Sequence, residues 1–307
     1  MKLIVQIPCY NEEKTLPMTV RDIPKKIEGI DEIRILVIND GSTDNTVSVA
    51  KNLGVDYILD LPYHRGLAEA FNRGLERSLE LGADIIVNTD GDNQYKGADI
   101  AKLIATLREK KAHIVIGCRN ISSIKHFSLT KKILQKAGSF VIRKFSGTTI
   151  SDATSGFRAY TRDAALRINV FSNYTYTIET IIQAGRKGIP MAHVGISINQ
   201  KTRESRLIKN VPSYIAKSVS TMLRIYLMYE PLKTFFSIGF VFILPGLLLI
   251  MRFLYLYFTI GRSGHVQSLI IAAILIIMGC GTIFLGLLGD TISASRRLLE
   301  DVLYRLK

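Results

Sequence analysis

The segment NTDGDNQY, Asn88 to Tyr95, sets two carboxylates one residue apart directly behind the apolar run ADIIV. Asp90 and Asp92 at that spacing, where a strand ends, can both reach one hard cation. Water and phosphate oxygens would complete its shell, and the side-chain oxygen of Gln94 could join them. Two other uses of the same residues stay open at this level: a pair sharing one proton, and a solvated strand-to-helix turn with acidic caps. An EF-hand is excluded, because counting from Asp90 the sixth position is Tyr95 instead of glycine and the twelfth is Ala101 instead of glutamate. The pair does not choose among these uses; its neighbours must.

Residues 1–120 alternate strand-like and helix-like segments. KLIVQIP is an apolar strand, and the following NEEKTLPMTVRDIPKKIEGI reads as a helix with Asn11 as its cap and acids in its first turn. EIRILVIND is a second strand; GSTDNTVSVAKNLG opens a second helix with Asp44 as cap and Gly54 as stop. VDYILDL is a third strand, and RGLAEAFNRGLERSLELG an amphipathic helix with Leu67, Ala70, Phe71, Leu75 and Leu79 on one stripe. ADIIVNTD and AHIVIGCR are two more strands. This alternation predicts an α/β domain with a mostly parallel sheet covered on both faces, whose ligands gather at the carboxyl ends of the strands. IPCYNE, INDGSTD, NTDGDNQ and IGCR all fall at strand ends and should converge on one crevice. Beyond residue 120, DATSGFRAY reads as a loop, TIETIIQAGRKG as a helix and PMAHVGISINQ as a strand.

The chain of 307 residues carries 40 Lys and Arg against 26 Asp and Glu, a net charge of +14 that favours anionic partners. Cys9, Cys118 and Cys280 match no metal or disulfide spacing and read as reduced thiols. The N-terminal apolar stretch is too short for a signal peptide. Residues 234–251 and 266–289 are uncharged, and with FLYLYFTI extending the first, both are long enough to span a bilayer. The connecting GRSGH is poor in charge, whereas Lys217, Arg224, Lys233, Arg296 and Arg297 flank the spans. The positive-inside rule then puts both termini in the cytoplasm and the hairpin tip outside. Residues 203–232 mix basic residues with Leu, Ile, Met and Tyr, as amphipathic helices on a membrane surface do. The basic stripe Lys131, Lys132, Lys136, Arg143 and Lys144 is either a solvated face or a contact with anionic headgroups.

IPCYNEE, VINDGSTDNT and NTDGDNQY, in this order and spacing, resemble family 2 glycosyltransferases of the GT-A fold. IGCR, DATSGFRAY, KTRESRL and the hairpin extend the resemblance over essentially the whole chain. They point to the polyprenyl-phosphate sugar transferases, the dolichol-phosphate mannose synthase group, in its two-span bacterial form. The organisation implied is a GT-A domain over 1–202, interfacial helices over 203–232, a transmembrane pair over 233–290 and a cytoplasmic helix over 291–307. The resemblance implies that Pro8, Tyr10, Asn11 and Glu12 contact the nucleotide, as do Asp40, Gly41 and Ser42. It implies that Asp90, Asp92 and Gln94 hold Mg²⁺ or Mn²⁺ at the donor diphosphate, and that Arg119 faces the phosphates. Asp152, Ser155 and Arg158 fall in the loop that closes over the reacting centre, with Ser155 on the acceptor phosphate. Lys201, Arg203 and Arg206 lie in its phosphate-binding stretch, where Arg203 replaces a glycine common in the family.

The chemistry agrees independently. Breaking a sugar–diphosphate bond builds negative charge on the leaving group, which a cation held by Asp90 and Asp92 offsets. A polyprenyl phosphate is already anionic, so the site needs cations to bring two anions together, among them Arg119, Arg158, Arg203 and Arg206. Asp152 and Glu179 are the candidates for a base or an orienting group, with a helix-surface acid as the alternative for Glu179. The expected partners are a nucleotide-sugar donor, a polyprenyl phosphate, an anionic bilayer and further copies of the chain, but not nucleic acid, for which no recognised module is present. Two rivals remain: a small polysaccharide synthase, disfavoured by the absence of tryptophan and by only two spans, and a non-catalytic nucleotide-sensing membrane scaffold.

Overall fold

From Leu3 onward every residue of strand β1 (Lys2–Cys9) is buried. A strand with no exposed face needs neighbours along both edges and layers above and below. In the computed structural model of the chain, β1 lies between β2 (Glu32–Asp40) and β4 (Ile85–Asn88), parallel to both. The structure describes residues 1–119, 138–140, 142–143, 146–171, 175–199, 211–260 and 266–306. Among these, seven strands form one sheet in the order β3–β2–β1–β4–β6–β5–β7, with β3 at Tyr57–Leu61, β5 at Ile114–Arg119, β6 at Arg158–Thr161 and β7 at Met191–Ile196. Helices α1 (Leu16–Asp22), α2 (Thr46–Asn52), α3 (Leu67–Glu80), α4 (Ile100–Glu109), α5 (Arg162–Arg167) and α6 (Tyr176–Arg186) connect them. The core beneath α1 and α4 joins Leu3, Val5 and Ile7 to Ile85, Val87, Leu103, Val115 and Phe157.

The sheet is parallel except for β6, which runs antiparallel to both β4 and β5. β6 corrects one expectation: DATSGFRAY is not all loop, since its last residues open this strand. Four residues led by a buried arginine carry neither an apolar run nor an alternation. The antiparallel strand brings its own N-terminus to the edge where β1, β2, β4 and β5 have their carboxyl ends. Cys9, Asp40, Asn88, Arg119 and Arg158 therefore line one edge, with Asn88 in register with Gln6 and with Arg158. The loop preceding β6 arrives there as well.

A second correction concerns the first helix. It begins only at Leu16, its first turn has no acids, and Asn11 is not its cap. The N-cap of α2 is Asn45 and not Asp44, although Asp44 Oδ1 accepts from the Thr46 backbone N–H at 3.0 Å; Gly54 follows the helix at φ 66°. The stripe read on α3 packs inward through Ala70, Phe71 and Leu75.

The chain divides into two units, Met1–Met222 and Leu223–Lys307. Helix α7 (Val211–Tyr229) runs across the division. In the second unit α8 (Pro231–Ile260) and α9 (Val266–Leu306) pack along each other, and both are long and apolar enough to cross a membrane. At about 1.5 Å per residue, α8 reaches about 45 Å and α9 about 60 Å, each longer than a bilayer core of about 30 Å. The C-terminal segment 291–307 is not a separate helix, because α9 runs without a break to Leu306. The pairing is antiparallel and close. Gly239 meets Gly279 and Ile283, Gly246 meets Ala272 and Ile276, and Gly286 meets Phe235. Small residues let two apolar helices approach backbone to backbone. Where α9 leaves the apolar stretch, the guanidinium of Arg296 lies over the Tyr229 ring and pairs with Glu300 at 3.0 Å. Lys131, Lys132, Lys136 and Lys144 lie outside the described residues, as do Lys201, Arg203 and Arg206.

Candidate active site

Short polar side chains stitch the loops after β1 and β2 together. Asn11 takes φ 56°, a left-handed conformation that asparagine tolerates better than most residues. That turn sends its Oδ1 to the Thr43 backbone N–H at 2.7 Å, while its own N–H reaches Ser42 Oγ at 2.9 Å. Glu12 donates its N–H to Thr46 Oγ1 at 2.8 Å, and Glu13 donates its own to Asp44 Oδ2 at 3.2 Å. The Glu12 side chain is buried and accepts from Thr15 Oγ1 at 2.6 Å. Of the residues expected to contact nucleotide, Glu12 thus holds loops together instead of lining the surface.

Asp40 is 2% exposed, and its two oxygens accept the backbone N–H groups of Arg65 and Gly66 at 2.8 and 2.9 Å. His64 Nδ1 lies 2.8 Å from the same carboxylate, and its ring stacks on Tyr10 at 3.9 Å. Gly41 is at φ 64°, and a Cβ there would collide with the backbone of Tyr63 and His64. Asp40 and Gly41 therefore shape the 63–66 segment that enters α3. His64 and Tyr63, absent from the expected set, complete this wall; their only sequence signal was their place just ahead of that helix.

Asp90 and Asp92 follow β4 on either side of Gly91. A Cβ on Gly91 would lie 2.9 Å from Cys9 Sγ and 3.4 Å from the Pro8 carbonyl oxygen, so this turn presses against the end of β1. Asp92 Oδ1 accepts the Gln94 backbone N–H at 3.1 Å, and Asn93 adopts φ 55°. On the far side, Asn199 donates its N–H to the Gln94 carbonyl at 2.9 Å. Burial, reinforced by the carboxylates of Glu12, Asp44, Asp90 and Asp92, raises the Cys9 thiol well above its ordinary value. The thiol is inert, and the residues acting on it map a concentration of negative charge at this edge. Among the described residues no three His, Cys, Asp or Glu side chains form a metal cluster. Two carboxylates on one turn are hard oxygen donors that fit a divalent ion only if substrate phosphates and water supply the rest of its shell.

Arg119 and Asp152 form a fork-to-fork pair: Nε to Oδ2 at 2.7 Å and Nη2 to Oδ1 at 3.0 Å. Nη2 also donates to Thr154 Oγ1 at 2.9 Å. The two side chains are 8% and 1% exposed. Burial alone would raise the Asp152 carboxyl, but the guanidinium outweighs it and leaves the group below the ordinary carboxylate value. Arg158 departs from expectation. It is fully buried, with Nε on the Ser155 carbonyl at 2.7 Å, Nη2 on the Ala153 carbonyl at 3.0 Å and Nη1 on Thr180 Oγ1 at 2.6 Å. It frames the 152–156 loop and does not face a substrate anion. Ser155 is fully buried too, so it does not line an acceptor surface. Glu179 is not a surface acid, for it is 2% exposed and its Oε1 accepts from the Phe171 backbone N–H at 3.0 Å and from Gln183 Nε2 at 3.2 Å.

The family model for glycosyl transferase family 2 matches residues 4–168. The chain belongs to that family, and its α/β domain is of the GT-A type. It is 27% identical over 67% of its length to an undecaprenyl-phosphate mannosyltransferase of Micrococcus luteus, covering 88% of that protein. A polyprenol monophosphomannose synthase of Mycolicibacterium smegmatis is 25% identical over 65% of this chain and 78% of its own. An undecaprenyl-phosphate 4-deoxy-4-formamido-L-arabinose transferase of Proteus mirabilis is 24% identical over 98% of this chain and 90% of its own. Among solved structures, glucosyl-3-phosphoglycerate synthase of Mycobacterium tuberculosis, in complex with Mn²⁺, UDP and phosphoglyceric acid, shares the fold. Its TM-score is 0.56 at 17% identity, covering 74% of this chain and 77% of that one. The protein is a glycosyltransferase.

Proposed function

We propose that the protein transfers one hexose, with inversion, from a nucleotide-diphosphate sugar of the UDP-glucose or GDP-mannose type to a polyprenyl phosphate at the cytoplasmic leaflet. The observation that carries the acceptor is similarity to an undecaprenyl-phosphate sugar transferase over 98% of the chain, both membrane-length helices included. The donor lies across the carboxyl edge of the sheet. Its nucleoside rests against the Tyr10, Ser42 and His64 wall, and its diphosphate faces the Asp90–Asp92 turn. Those two carboxylates, with Gln94 beside them, would hold Mg²⁺ or Mn²⁺, and the ion would supply positive charge to offset the negative charge developing on the leaving diphosphate.

The remaining work belongs to the chain's own groups. Asp152 is ionised and engaged by Arg119, so it is a poor proton acceptor and acts by fixing the 152–156 loop. A phosphate acceptor, already ionised, needs no base to attack the anomeric carbon. Lys201, Arg203 and Arg206 are our candidates to hold it.

The full-length protein in detergent, given Mn²⁺ and undecaprenyl phosphate, should form lipid-linked sugar with at least one member of a UDP- and GDP-sugar panel. No product with any donor would overturn the reading. Asp92→Asn should remove turnover, at least a 100-fold loss on the scale of a lost metal ligand, while leaving the protein folded. Undiminished activity would sink the assigned role of Asp92.

A further inference from the structure

Directly behind the Asp90–Asp92 turn lies a buried polar node that the reading above does not use. Asn88, the last residue of β4, is fully buried. Its Nδ2 donates to the Gly156 carbonyl at 2.9 Å and to the Tyr176 hydroxyl at 2.8 Å, and its Oδ1 accepts from Gln6 Nε2 at 2.9 Å. Gly156 is held from its other side as well, its N–H donating to the Tyr95 hydroxyl at 3.0 Å. The node thus joins four elements: β1 through Gln6, the end of β4, the loop carrying Asp152, and the first residue of α6.

Asp90 borders this node. A Cβ placed on Gly156 would lie 2.9 Å from Asp90 Oδ1 and 2.9 Å from the Tyr176 hydroxyl. Those two atoms therefore converge on one small space, and glycine keeps it open. The Tyr176 ring cannot drift away, because it stacks on Phe71 at 3.8 Å with the planes only 4° apart. Tyr95 is fixed in a similar way, its ring stacked on Phe157 at 5.1 Å. The Tyr176 hydroxyl in turn donates to the Gly156 carbonyl at 3.3 Å.

We propose that Asn88, Gly156 and Tyr176 are positioning residues for the Asp90 carboxylate, tying it to the loop that carries Asp152. Through them, how tightly the enzyme uses its divalent ion depends on residues that do not touch the ion. Groups standing behind metal-holding carboxylates fix their orientation, and their loss costs about 10–100-fold in metal affinity or activity. The proposal rests on Asp90 and Asp92 holding the ion.

The test compares Tyr176→Phe and Gly156→Ala with the unsubstituted full-length protein in detergent. Tyr176→Phe keeps the ring and its stack on Phe71 and removes only the hydroxyl. Gly156→Ala fills the shared space. Binding of Mn²⁺ is followed by loss of the free-ion EPR signal, in parallel samples with UDP and with GDP. Tyr176→Phe should weaken Mn²⁺ binding about tenfold and raise the Mn²⁺ needed for half-maximal transfer by a similar factor, with kcat at saturating Mn²⁺ largely kept. Gly156→Ala should weaken it further. Should Gly156→Ala not fold, Tyr176→Phe decides alone. Unchanged Mn²⁺ binding in a folded Tyr176→Phe protein, or a fall in kcat without a change in Mn²⁺ requirement, overturns the proposal. If the unsubstituted protein binds no Mn²⁺ with either nucleotide, the metal reading itself fails, and the two failures are told apart.

Discussion

Arg119 and Arg158 carry the same charge at the same edge of the sheet, yet burial and partners give them different work. Arg158 spends its donors on two carbonyls and a threonine hydroxyl, so it frames a loop. Arg119 is set bidentately on Asp152 and holds that carboxyl below its usual value against the opposing effect of burial. Replacing Arg119 with methionine leaves Asp152 buried without its cation. That should cost about 3–5 kcal/mol, toward the lower end because Thr154 Oγ1 still donates to the carboxylate at 3.0 Å. The pH dependence has a definite sign. A folded-state value below the unfolded one gives a contribution that is whole above about pH 4 and lost as acid protonates the group. The stability gap between the native protein and Arg119→Met should therefore be widest at neutral pH and narrow on acidification. Urea unfolding at both pH values checks this; a gap independent of pH would show that the pair does not supply the difference.

At the scale of elements, two kinds of close approach organise the molecule. In the first unit they are polar: the β1 and β2 loops are tied by asparagine, serine, threonine and acidic side chains. In the second they are apolar, through the glycines where α8 and α9 meet. A Cβ on Gly279 would lie 2.8 Å from the Gly239 carbonyl oxygen and press on Ile243, whereas one on Gly281 would meet nothing within 4 Å. Gly279→Leu should therefore destabilise the hairpin by about 1–3 kcal/mol, as overpacking does, and Gly281→Leu far less. Thermal denaturation of the two variants in the same detergent measures the difference. Equal behaviour would remove the packing role from the glycine contact.

For the whole molecule, we propose from the balance of basic residues a hairpin whose tip faces outward, with the first unit and the C-terminus in the cytoplasm. With Cys280, the exposed cysteine among the three, changed to alanine, single cysteines at Ser263 and Ser295 test this orientation. A membrane-impermeant maleimide added to intact cells should label Ser263→Cys, and should label Ser295→Cys only after permeabilisation. The reverse pattern would invert the topology and move the donor site to the other side of the membrane.

The carboxyl-edge motifs, the parallel strands and the two membrane-length helices were legible in order and spacing alone. Each is a local pattern: an apolar run, a cap, or a stretch too long and too uncharged for a soluble helix. Asp90 and Asp92 could be singled out because they follow such a run, and the resemblance of three neighbouring motifs narrowed their use. The partners of each charge were not legible. Arg158, Ser155 and Glu179 carry the residue types a transferase site needs, but the antiparallel β6 and the start of α6 enclose all three. Asn88, Tyr176 and Gly156 have no shared motif and stand 20 to 88 residues apart, as their mutual hydrogen bonds show. Sequence by itself determined that the motifs ending β1, β2, β4 and β5 arrive at one edge of the sheet, because the direction of those parallel strands follows from local pattern and connection. Only the tertiary structure decided which of them are exposed and which neutralise one another, because burial and pairing depend on contacts between segments distant in the chain.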